Sequence, residues 1–111
     1  MLAAKYRLKK QREIKSLFLH KKAVFGKYLI VNYKENKLNY SRFAFILSKK
    51  NIKKAVERNY FKRVLRHIVF KNLDKIAMGV DIAIVVKSSI KEAEFYQIEE
   101  EIKQLFNKIR L

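Results

Sequence analysis

Residues Lys49 to Phe70 read KKNIKKAVERNYFKRVLRHIVF, and the rest of the chain is read outward from them. At about 100° per residue, a helix over this segment gathers Arg58, Asn59, Lys62, Arg63 and Arg66 into a band roughly 140° wide. Phe61, Val64, Leu65 and Ile68 fall on a second band roughly opposite. The segment predicts one amphipathic helix, apolar toward a core and cationic toward something else. Lys49, Lys50, Lys53 and Lys54 add charge at and just before its first turn, with Asn51 placed to cap it and Asn72 to end it in a left-handed turn. Glu57 is the one acid inside the segment. Like charges four residues apart, such as Arg58, Lys62 and Arg66, weaken a helix by a few tenths of a kcal/mol per pair. A solvated face normally intersperses acids, so a helix that tolerates this repulsion is built to meet a polyanion. The guanidinium fork suits phosphate, and the Asn59 amide suits a base edge or a backbone.

The composition points the same way. The 111 residues carry 27 Lys plus Arg against 10 Asp plus Glu, a formal net charge of +17, and half the residues are hydrophobic with no Pro. That is one globular domain, residues 1–111, and not a disordered basic tail. From Asp81 to Leu111 there are five bases and six acids, while residues 1–80 hold 22 bases and four acids. A strongly cationic side and a nearly neutral one are the mark of a binding face, with nucleic acid the natural counterpart. The chain lacks Cys, which excludes disulfides and thiolate metal sites. No stretch approaches the roughly 20 apolar residues of a membrane span, and no signal peptide is visible. The expected location is the cytoplasm.

Met1 to Arg12 reads as an extended or poorly ordered, flexible basic arm. Glu13 to His20 predicts a short helix in which Phe18 is either a core residue or a ring for stacking a base. KYLIVNY (27–33) and RFAFILS (42–48) are β-prone and flank a polar connector, which predicts an antiparallel pair, with a further short strand possible near Ala23 to Phe25. Alternation puts Tyr28 with Ile30 and Asn32, and Tyr33 with Leu29 and Val31. One face packs on a helix and the other presents Tyr28 or Tyr33. A connector with Met78-Gly79, a buried strand DIAIVV (81–86) and a last amphipathic helix over Ile98, Ile102, Leu105, Phe106 and Ile109 complete the chain. The fold class is α+β: a single-domain two-layer sandwich in the order α-β-β(-β)-α-β-α, one central sheet with helices packed on it.

No catalytic set emerges. His20 and His67 have no nucleophile or carboxylate pairing, two glycines cannot make a phosphate loop, and acids are too scarce in the basic half for a two-metal centre. Glu99-Glu100-Glu101 point in different directions, so no metal site is expected. Charge and size alone fit a small structural RNA-binding protein such as a ribosomal component, and a membrane-surface role for the basic helix is a third reading.

Arg58-Asn59-x-x-Lys62-Arg63-x-x-Arg66, preceded by Ser48-Lys49-Lys50, resembles the signature helix of the bacterial ribonuclease P protein subunit. The resemblance extends to Arg7-Leu8-Lys9-Lys10, to Phe18, and to a late Asp81-Ile82 strand followed by a helix. It departs at Tyr60, where the family often has a base, and at His67, where it often has Glu; neither position inherits a role. The resemblance implies a non-catalytic subunit of a ribonucleoprotein endonuclease that removes the 5′ leader of precursor tRNA. The RNA subunit would be the catalyst, using Mg²⁺ held in the holoenzyme, with one protein per RNA. Lys49, Lys50, Lys53, Lys54, Arg58, Asn59, Lys62, Arg63 and Arg66 would contact the catalytic RNA, and Phe18 and Tyr33 would face the leader.

Overall fold

A strand that is apolar on both faces has to be covered on both faces, and VDIAIVV is such a strand. In the computed structural model, which describes residues 4–75 and 79–109, the chain runs α1 (Gln11–His20), β1 (Ala23–Phe25), β2 (Leu29–Glu35), β3 (Arg42–Ile46), α2 (Ala55–Lys71), β4 (Val80–Val86) and α3 (Phe95–Asn107). The sheet order is β1-β2-β4-β3. β4 occupies an interior position, antiparallel to β2 and parallel to β3, and every residue in it but Val85 is buried.

The antiparallel pair expected between the β2 and β3 segments therefore does not form. The two strands do run in opposite directions, but β4 lies between them, about 10 Å of sheet for two strand spacings. The polar connector crosses the end of β4 instead of closing a hairpin: Asn36 N–H donates to the Gly79 carbonyl at 2.8 Å, and the Asn36 amide donates to Asp81 at 2.8 Å. Gly79 has φ +78°, and a side chain there would meet the Leu38 carbonyl at 2.8 Å. Met78 lies outside the described residues.

Residues paired across strands share a face. Leu29, Val31 and Tyr33 of β2, with Phe43, Ile82, Ile84 and Val86, form the main core with Phe61, Leu65, Ile68 and Val69 of α2 and Ile98, Ile102, Leu105 and Phe106 of α3. On the opposite face Ala44 and Ala83 pack with Leu8 and with Leu17 of α1. The α+β domain of one sheet with helices packed on it is thus present, with α1 a partial cover on the second side. Arg42 ties that side together, its guanidinium meeting Asp81 at 2.7 Å and Glu13 of α1 at 3.1 Å.

The expected basic arm is held down. Residues 1–3 lie outside the described residues, but Ala4–Tyr6 form a turn of 3-10 helix, Leu8 is buried, and Leu8 N–H donates to the Phe43 carbonyl at 2.7 Å on the outer edge of β3. One apolar residue among cations is enough to dock the segment.

The three consecutive glutamates diverge as their spacing requires. Glu100 is exposed. Glu99 accepts from the Asn72 amide at 3.3 Å and pairs with Lys71 at 3.4 Å. Burial works to raise its pKa, but Asn72 and Lys71 outweigh it and hold the carboxyl below its ordinary value. Glu101 is buried and accepts from the backbone N–H groups of Lys27, Tyr28 and Leu29, each at 2.8 Å. It fixes α3 to the turn between β1 and β2.

Candidate nucleic-acid interface

α2 begins at Ala55, later than residue 51, because the preceding residues are used elsewhere. Ile52 is fully buried, and its N–H closes a turn on the Ser48 carbonyl at 3.0 Å. The Asn51 amide, expected as the cap, instead donates across to the Val86 carbonyl at 3.1 Å. Lys54 stands at the cap position without a side-chain bond, so the first-turn N–H groups stay open and the positive end of the helix is not offset by a capping oxygen. Lys49, Lys50, Lys53 and Lys54 are all exposed around this end, in the loop and not on the helix. At the other end Asn72 has φ −113°, so no left-handed turn closes α2; the Asn72 amide bonds the Ile68 carbonyl at 2.8 Å.

The cationic band survives folding as one face. Asn59 and Arg63 are exposed, and Arg58, Lys62 and Arg66 are half-buried along its edge. Among the described residues the ion pairs are Arg42 with Glu13 and Asp81, and Lys71 with Glu99; none takes a cation from the band. Arg58 differs from the others. Its Nη1 donates to the carbonyls of Ile52 and Lys53 at 2.8 and 2.7 Å, so it clasps the loop to the helix and has only its remaining donors for a partner.

Beside the band lies a groove of about 320 Å³ between residues 7–11, the edge strand β3 and α2, with Arg7, Lys9, Lys62 and Arg66 on its walls. The Nε atoms of Arg7 and Arg66 are buried and have no hydrogen-bond partner. Both arginines line the groove, and a buried donor without an acceptor is costly. Arg7 is absent from the sequence-based contact set; it comes into place because Arg7 bridges to Phe43 on the β3 edge, which no local pattern reveals.

The aromatic candidates separate. Phe18 is 40% exposed on α1. Tyr33 is only 7% exposed and belongs to the main core, so it cannot stack on a base; Tyr28 is buried as well. The other side of the sheet carries a row of its own. Phe25 pairs with Ile30, Ile30 with Val85, and Val85 with Ile46. None of the four is fully buried, and Phe25 is 69% exposed. This row adjoins Asn32, Ala83 and Ala44, the level that Leu17 of α1 helps to cover. An apolar floor thus lies next to α1 on the face opposite Tyr33.

A family model described as Ribonuclease P matches residues 2–110. The chain belongs to the ribonuclease P protein family. It is 35% identical over 108 residues to the ribonuclease P protein component of Fusobacterium nucleatum, covering 94% of this chain and 96% of that one. It is 36% identical over 111 residues to that of Syntrophomonas wolfei, covering 100% and 92%. Its fold superposes on the RNase P protein from Thermotoga maritima with a TM-score of 0.87 at 28% identity, covering 95% of this chain and 98% of the other. Membership decides between the two RNA-binding readings that charge alone leaves open: this is a ribonuclease P protein subunit, part of an endoribonuclease complex, whose partner is the ribonuclease P RNA. Among the described residues no helix is long and apolar enough to cross a membrane.

Proposed function

We propose that this chain is the non-catalytic subunit of ribonuclease P, binding the catalytic RNA through α2 and the 5′ leader of precursor tRNA on the α1 side of the sheet. The observation that carries the reading is the row Asn59, Lys62, Arg63 and Arg66, on one helix face and free of acid partners. Phosphates docking there release condensed counterions, which gives affinity that rises steeply as salt falls. Lys49, Lys50, Lys53 and Lys54 widen the cationic field at the start of α2, and Arg7 extends it into the groove. With a net charge of +17, the subunit offsets the repulsion between the RNA and its polyanionic substrate.

Glu13, Asp81, Glu99 and Glu101 are each engaged by the protein itself. Mg²⁺ in the holoenzyme belongs to the RNA on this reading, with one protein per RNA, in the cytoplasm. Phe18, 40% exposed on α1, is the ring assigned to an unpaired leader base.

Reconstitution tests the reading. Added to ribonuclease P RNA at low Mg²⁺, the chain increases 5′ leader removal from precursor tRNA; no gain at any protein concentration that saturates the RNA overturns it. Phe18→Ala separates platform from core. Because Phe18 is 40% exposed, the substitution lowers the melting temperature by only a few degrees, roughly the effect of 1 kcal/mol. Holoenzyme affinity falls for precursor tRNA and not for mature tRNA. A large drop in melting temperature with unchanged discrimination returns Phe18 to the core.

A further inference from the structure

The outer surface of α2 carries a second feature that the cationic band does not explain. On a helix turning about 100° per residue, Val56, His67 and Tyr60 follow within about 60° of Arg63, on the side away from Lys62. Val56 is 80% and Tyr60 49% exposed, and His67 is exposed. The first residue of α3 extends the patch: Phe95 is 40% exposed and stands with its ring 6.1 Å from that of His67. Tyr60 is braced from behind by Phe61, ring centroids 5.1 Å apart and close to perpendicular. Tyr60, His67 and Phe95 thus form an aromatic margin beside the band, on the flank opposite the Arg7–Arg66 groove.

We propose that this aromatic margin is a stacking platform for unpaired bases of the RNA whose phosphates lie on the cationic band. The proposal rests on the reading of that band as an RNA contact. Aromatic faces next to guanidinium groups are the two halves of a single-strand site, since rings take bases of any sequence and cations take the backbone between them. Tyr60 and His67 are two turns apart, about 10.5 Å along the axis, so each ring serves a different base. Charge selects the occupant. A second copy of the chain would bring a further +17 against the same face, whereas RNA neutralises the band that borders the rings.

The test compares two polyanions, one with bases and one without. The probes are a labelled 12-nucleotide oligoadenylate and inorganic polyphosphate of matching charge, titrated with the full chain over a range of salt. Tyr60→Ala combined with His67→Ala weakens oligoadenylate binding about thirty-fold or more, the loss expected for two stacked bases. The salt slope is unchanged, and polyphosphate affinity stays within about two-fold because no phosphate contact is lost. Tyr60→Phe with His67→Phe keeps both rings and keeps the affinity, which separates stacking from an effect on folding. Equal losses on both polymers, no loss on oligoadenylate, or a dimer in sedimentation that the alanine pair dissolves each overturns the platform. Failure of the reconstitution assay is a separate result: it removes the assignment to leader processing and leaves the discrimination between the two polyanions intact.

Discussion

Glu101→Ala is expected to lower the melting temperature by roughly 15–30 °C, a large part of the stability of a domain this size. The carboxylate sits on α3, is 9% exposed, and takes the N–H groups of Lys27, Tyr28 and Leu29 at 2.8 Å each. Alanine leaves three donors without an acceptor, each costing about 1–3 kcal/mol where water cannot replace the oxygen. Some water enters at Lys27, which is exposed, so a total of about 3–5 kcal/mol is the reasonable sum. Glu101→Gln retains one acceptor oxygen and loses about half as much. Gly26→Ala approaches the alanine result from the other side, because a Cβ at Gly26 would stand 2.5 Å from the Glu101 carboxyl carbon and 2.6 Å from its nearer oxygen. Thermal melts followed by circular dichroism decide the matter; a fall below about 5 °C for Glu101→Ala means the turn finds other acceptors. The consequence reaches the interface, since Phe25, at the open end of the apolar floor, immediately precedes Gly26.

The features legible in the sequence are those set by a local period. The band on α2 and the apolar stripe of α3 need only the 3.6-residue repeat, and both stand where that repeat puts them. What failed needed knowledge of distant residues. DIAIVV reads as a buried strand, but nothing local says that it enters between β2 and β3. Alternation in β2 yields two faces that both carry aliphatics, Leu29 and Val31 against Ile30, so it cannot say that Tyr33 goes to the α2–α3 side. Asn51 carries a proper cap signal, yet its amide is claimed by a carbonyl 35 residues away. The same holds for Glu101: within a run of three glutamates nothing marks the middle of the β1–β2 turn as the partner of the last.

Replacing Lys62, Arg63 and Arg66 together by alanine is expected to cut affinity for ribonuclease P RNA about a hundred-fold near 0.15 M salt while leaving the fold intact. Each lost phosphate contact lowers the slope of log affinity against log salt by about 0.7–0.9, so three lower it by about 2–2.7. The deficit therefore shrinks toward nothing as salt approaches 1 M, which distinguishes lost ionic contacts from lost shape. Stability holds because the side chains of Lys62, Arg63 and Arg66 take no part in the protein's own ion pairs among the described residues. Arg66 Nε is buried without a partner, so removing it takes away an orphan donor and breaks no internal hydrogen bond, and relief of like-charge repulsion along α2 works in the stabilising direction. Arg58 is the contrasting arm. Its guanidinium already serves the carbonyls of Ile52 and Lys53, so Arg58→Ala lowers the melting temperature and changes the salt slope by less than one contact. An unchanged slope in the triple variant, measured by titration across salt, would take α2 out of the RNA interface. If instead the slope falls and the melting temperature holds, the unpaired cations of this helix are maintained for the RNA and not for the fold.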